Sequence, residues 1–124
     1  MDIRTVVDSY FDCVNTGRWD DYLELFDPDV VMDEQLAGHL EGRAAVADSI
    51  RGLRTNPDFR NRPVEIVVEG DRAMASWHLT SPRPGGGTLD VRGVNLFRIS
   101  DGRIRYFANY HDTAPFTAPV PVPG

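Results

Sequence analysis

Lysine is absent from this chain: all 13 basic residues are arginines, scattered among 19 Asp and Glu. With a formal net charge of −6 there is no basic face to neutralise phosphates, which excludes a nucleic-acid partner. Cysteine is nearly absent as well. The single Cys13 has no partner in the chain, so no disulfide framework is available and a reducing, cytoplasmic setting is expected. No stretch approaches the roughly 18 apolar residues of a membrane span, and Met1-Asp2-Ile3-Arg4 is neither a charged leader nor an apolar one. A soluble protein that does not meet the membrane is expected. The three histidines, His39, His78 and His111, are widely separated with no spaced third ligand, so neither a metal nor another cofactor is expected. Gly85-Gly86-Gly87 lacks the strand-to-helix setting of a phosphate loop.

What is present suffices for one domain: 124 residues, 41% of them apolar, with one core to bury. Ile3, Val6, Val7, Tyr10 and Val14 recur at helical spacing behind Asp2 as N-cap, and Gly17 ends the helix. Trp19, Tyr22, Leu23 and Phe26 repeat the pattern until Asp27-Pro28 stops it. Val30-Val31-Met32 reads as a strand ending in Asp33-Glu34-Gln35, carboxylates at the inner end of an apolar run. A third helix is expected from about Arg43 to Arg54, with Asn56-Pro57 as its stop. Two β-hairpins follow, turning at Glu69-Gly70-Asp71 and at Asp101-Gly102 and joined by the Gly-rich segment 83–87. The tail 114–124 holds four of the nine prolines, and extended or disordered chain is expected there. The domain is therefore expected to span 1–113. Three helices before an antiparallel meander give an α+β class, with the helices on one face of a curved sheet.

Alternation sorts the strand residues into two faces. Ala73, Ala75, Trp77 and Leu79 share one face, and Met74, Ser76, His78 and Thr80 the other. Asn95 falls with Val91, Gly93 and Phe97. Phe107, Asn109 and His111 lie opposite Tyr106, Ala108 and Tyr110. Alternation alone leaves open which face is inner.

"YFDCVNTGRWDDYLELFDPDVV", "GHLEGRAAVADSI" and "GVNLFRISDGRIRYFANYHD", in that order, resemble the nuclear-transport-factor-2-like superfamily, in its SnoaL-like and ketosteroid-isomerase-like branches, over about residues 3–113. The resemblance implies three N-terminal helices on the concave face of a curved, mainly antiparallel sheet, enclosing a cone-shaped apolar pocket. It puts the mixed strand faces inward, with Met32, Ser76, Thr80, Phe97, Phe107 and Asn109 contacting substrate. The apolar faces with Trp77, Leu79, Leu96, Tyr106 and Tyr110 would be convex and pair two copies as a homodimer. By the isomerase-like pattern Glu34 is the base and Tyr10 and Asn95 the oxyanion donors, with Glu and Asn where that branch carries Asp. His78 and His111 are auxiliary catalytic groups. The epoxide-hydrolase-like relay has no counterpart, because its positions fall on Ser76, His78 and Asn109. The function implied is cofactor-independent proton transfer on a small hydrophobic carbonyl compound: isomerisation, cyclisation or dehydration. The alternatives are a non-catalytic domain that binds a small ligand and one that serves only dimerisation.

Overall fold

The computed structural model describes residues 1–117. Helix α1 (Ile3–Thr16) starts where the Asp2 carboxylate accepts the Thr5 amide at 2.8 Å and ends at Gly17, whose φ of 69° is the left-handed C-cap. It buries Val6, Val7, Tyr10, Phe11 and Val14 along one stripe. Helix α2 (Trp19–Glu24) is shorter than its apolar spacing predicts, because Phe26 already belongs to strand β1 (Phe26–Glu34) and pairs with Ile104. Pro28 lies within β1, where the register slips between Phe26 and Val31. A short strand, β2 (Gly38–Glu41), then folds back antiparallel on β1, an element the sequence reading missed. Helix α3 (Arg43–Ser49) stops earlier than expected, and a 3-10 turn at Leu53–Thr55 takes up the remainder.

Strands β3 (Arg60–Glu69), β4 (Arg72–Pro82), β5 (Thr88–Ser100) and β6 (Arg103–His111) form the expected two hairpins. The six-stranded sheet runs β2-β1-β6-β5-β4-β3 and is mixed, since β1 pairs with β6 in parallel while its other pairs are antiparallel. Helix α1 packs on β3, β4 and β5, and α3 on β1 and β2.

The α+β class stands, but the curved sheet around a cone-shaped pocket does not. The strand order is linear with free edges at β2 and β3, so the sheet is open and does not curl on itself. The edges are poor partners for closure. β2 is four residues long, and β3 carries Pro63 with a register shift between Pro63 and Glu65. The tail also departs from an extended chain at its start, where Ala114–Thr117 forms a one-turn helix, α4. Pro115 falls in its first turn, where a missing N–H is harmless, and the Asp112 carboxylate accepts the Ala114 amide at 3.0 Å. The rest of the tail, 118–124, lies outside the described residues. No helix among the described residues is long and apolar enough to cross a membrane.

Candidate active site

Between the helices and the sheet lies a cavity of about 380 Å³, lined mostly by apolar side chains. The strand register decides which polar groups enter it. Ala75, Asn95 and Asn109 are cross-strand partners in one row, and Trp77, Gly93 and His111 form the next. Met32 pairs with Phe107 on the neighbouring strand, which brings Glu34 beside Asn109. Glu34 is the one carboxylate lining the cavity among the described residues.

Glu34 is held on both oxygens. Its Oε2 accepts the backbone amides of Leu36, at 3.0 Å, and of Ala37, while its Oε1 accepts Asn109 Nδ2 at 3.0 Å. Asn109 is fixed in turn, because its Oδ1 accepts the Gln35 amide at 2.9 Å. The turn 35–37 between β1 and β2 thus wraps the carboxylate, and three of its roughly four acceptor positions are filled. One is unfilled among the described residues.

Tyr10 reaches the cavity from α1, packed among Phe11, Tyr22, Phe97 and Phe107 with ring centroids 5.0–5.6 Å away. Burial pushes its hydroxyl well above the ordinary tyrosine range, against the opposing influence of neighbouring Tyr22 and Asn95. Tyr22 is raised too, first by burial and then by Tyr10. Tyr10 therefore stays protonated and able to donate. Asn95 is 1% exposed, and Trp77 Nε1 donates to its Oδ1 at 2.8 Å. Since an indole only donates, this bond orients the amide, so that Asn95 Nδ2 approaches the Tyr10 hydroxyl, near enough to oppose the rise that burial causes in its pKa, without completing a hydrogen bond of good geometry. The indole reaches Asn95 because residue 93 is glycine: a Cβ there would stand 2.4 Å from Trp77 Cζ2.

His111 closes the same side. Its Nδ1 lies 2.8 Å from the Asp112 carbonyl, an acceptor only, so Nδ1 carries the proton and Nε2 of the neutral ring is an acceptor. The ring sits between Trp77 (5.7 Å) and Phe116 (5.1 Å), so α4 supplies part of the cavity wall.

The residues expected in the site divide three ways. Tyr10, Met32, Glu34, Asn95, Phe107, Asn109 and His111 line the cavity. Phe97 is fully buried beneath it, against Tyr10 and Phe107. Ser76, His78 and Thr80 lie on the opposite face of the sheet, where His78 Nε2 meets Asp90 Oδ1 at 2.7 Å. The expected facing of β4 is inverted: Trp77 and Leu79 line the cavity because the wholly apolar face of a strand belongs against the helices. The reading also missed Asn61, Tyr22 and Phe116, which line the cavity too.

The outer face carries Met74 and Tyr110, both about half exposed, with Val94 and Leu96 between them. At its β2 edge Asp33 Oδ1 lies 2.7 Å from His39 Nδ1 and Asp33 Oδ2 accepts the Tyr106 hydroxyl at 2.6 Å. The Tyr106 bond and then the His39 bond hold Asp33 below the usual carboxylate range, and Asp33 followed by Glu41 raises His39. Tyr106 is pushed up to about 12, first by donating to Asp33. Among the described residues no group of three or more His, Cys, Asp or Glu is placed to hold a metal ion.

Known structures share this fold. An NTF2-like protein of unknown function from Burkholderia pseudomallei superposes with a TM-score of 0.82 at 21% identity, covering 91% of this chain and 92% of its own. TerC, crystallised with polyporic acid, gives 0.81 at 19% identity over 91% and 93% of the two chains. A candidate polyketide cyclase from Sinorhizobium meliloti gives 0.73 at 25% identity over 86% and 94%. No curated protein matches the chain closely enough to be counted a relative. The model of the SnoaL-like domain matches residues 7–107, and the chain belongs to that family.

Proposed function

We propose that this protein is a cofactor-independent enzyme that moves a proton on a small hydrophobic carbonyl compound, in an isomerisation, cyclisation or dehydration. The observation that carries this reading is Asn95 Nδ2, a buried donor that completes no good hydrogen bond, set close to the hydroxyl of a protonated Tyr10 in an apolar cavity holding one carboxylate. Its unit is 1–113, with Phe116 added to the wall. Glu34, through its remaining acceptor position, takes a proton next to the substrate carbonyl. Asn95 and Tyr10 donate to the oxygen as negative charge develops there, and the apolar walls exclude water that would weaken those bonds. His111 Nε2 is a second acceptor. Met32, Phe107 and Asn109 contact substrate. Ser76, His78 and Thr80 take no part, being on the other face. Likeness to a candidate polyketide cyclase supports an enzymatic role.

Phenols mimic the enolate in such a site, and calorimetric titration with a substituted series tests the reading. Affinity should rise as the phenol oxygen becomes a better acceptor. Asn95→Ala and Tyr10→Phe should each weaken binding by about 1–3 kcal/mol. Affinity indifferent to both changes refutes the oxyanion site. One observation favours a second reading: a carboxylate gripped by three donors suits a group that orients a ligand without reacting. Binding that obeys the phenol trend, with Glu34→Gln leaving every turnover assay unchanged, would select that reading. A homodimer through the outer face is also proposed, now on Met74, Val94, Leu96 and Tyr110, because an apolar patch of that kind is uncommon on a monomer.

A further inference from the structure

Asn61 opens β3 with its backbone already satisfied. Its amide donates to Asn15 Oδ1 at 2.7 Å, and its carbonyl accepts Asn15 Nδ2 at 2.8 Å, so the α1 side chain acts as a strand partner. The same Nδ2 bonds the Phe11 carbonyl at 2.9 Å, which anchors the clamp to the helix. The Asn61 side chain is not needed for any of this. Asn61 is 7% exposed, lines the cavity, and its Oδ1 has no hydrogen-bond partner among the described residues. A buried acceptor left open is a standing cost that an apolar residue would avoid. The cavity therefore holds two open polar ends, a donor at Asn95 and an acceptor at Asn61.

Their separation follows from the register. Asn61 pairs with Leu79 and Leu79 with Val91, so the two asparagines are two strands apart across the sheet and four residues apart along it. At about 4.8 Å per strand and about 3.3 Å per residue, the backbones are roughly 16 Å apart. Side chains and hydrogen bonds at both ends leave a ligand whose two oxygens are on the order of 10 Å apart. Resting on the reading of Asn95 as carbonyl donor, we infer that Asn61 is a specificity-determining residue, which selects an elongated apolar carbonyl compound bearing a hydroxyl at its far end.

The test uses three probes that share a carbonyl and differ at the other end, with an alcohol in place of a phenol so that the hydroxyl does not mimic an enolate: 4-acetyl-4′-(hydroxymethyl)biphenyl, its methyl ether and 4-acetylbiphenyl. Calorimetry on the full chain should show the hydroxyl probe binding about tenfold more tightly than the other two, the usual size of one hydrogen-bond preference. Asn61→Leu should abolish that preference, and should raise the melting temperature by removing the open acceptor. Asn61→Asp, which keeps an acceptor, should retain the preference. Equal affinity of the three probes for the wild type overturns the inference, as does a preference that survives Asn61→Leu. A hydroxyl preference that depends on Asn61 but ignores Asn95→Ala upholds the inference and overturns the oxyanion reading instead. No binding of any probe overturns both.

Discussion

Replacing Glu34 by Gln tests the network at the site by hydrogen-bond counting. The carboxylate accepts from Leu36 and Ala37 on one oxygen and from Asn109 on the other, and Asn109 Oδ1 accepts from Gln35. Gln has one oxygen. Turned to the backbone amides, it presents its NH₂ to the Asn109 NH₂; flipping Asn109 only moves the conflict to the Gln35 amide. One donor–donor contact is left in either orientation. A buried group so frustrated would cost about 1–3 kcal/mol, and because the turn 35–37 is exposed the low end applies, about 1 kcal/mol. For a domain of this size that is a fall in Tm of roughly 2–6 °C. Asn109→Asp alone should also destabilise at neutral pH, by setting two carboxylates side by side. The double variant Glu34→Gln/Asn109→Asp restores every bond: the Gln NH₂ donates to one Asp oxygen while the other still accepts from Gln35. Urea unfolding of the four proteins measures the coupling, which should be favourable by about 1 kcal/mol or more. Losses that simply add in the double variant would refute the network.

Three further outcomes follow from other parts of the structure. In Gly93→Ala the new methyl meets Trp77 and, at 2.8 Å, the Tyr110 carbonyl, so stability should fall by about 1–3 kcal/mol and Trp fluorescence should shift as the indole leaves Asn95. Asp33 is depressed and His39 raised. The Asp33 contribution is therefore complete above its unfolded value near pH 4 and lost as pH falls through the folded one. The His39 contribution is complete below about pH 6.5 and lost as pH rises through its raised value. Urea midpoints should accordingly decline above about pH 6.5 in the wild type and not in His39→Gln; both groups are exposed, so the effect is small. Leu96→Arg on the outer face should halve the mass seen by sedimentation at micromolar concentration, and a wild-type monomer would refute the dimer.

How far the fold could be read depended on whether its cause was local. Asp2 and Gly17 bracket α1 by their own chemistry, and Asp101-Gly102 turns β5 into β6 with Asp101 at φ 53° and Gly102 at 72°. Strand β2 carries no such signal: Gly38-His39-Leu40-Glu41 is a strand only because β1 lies beside it. The openness of the sheet is likewise a property of its two edges, and it emerges only once all six strands are placed.

The facing of β4 shows why a site can be half legible. Alternation groups Asn95 with Phe97 and Asn109 with His111, and the resemblance turns those faces inward; β5 pairs with β6 across the Asp101-Gly102 turn, with one slip in register between Arg98 and Ile99 that brings Asn95 opposite Asn109. Between β4 and β5 lies the segment 83–87, with three successive glycines at positive φ, and such a loop leaves register to the packing. A slip of one residue exchanges the faces. Taking polar Ser76, His78 and Thr80 as inner followed the resemblance, against the preference of Ala73, Ala75, Trp77 and Leu79 for the helices. Packing set the register: Ala75 opposite Asn95, Trp77 over Gly93. That register brings the indole to Asn95 Oδ1 and turns its Nδ2 toward Tyr10 and the cavity without a completed hydrogen bond. The polarity of the site is thus decided by the indole N–H of Trp77, on a strand whose Ser76, His78 and Thr80 point away from it.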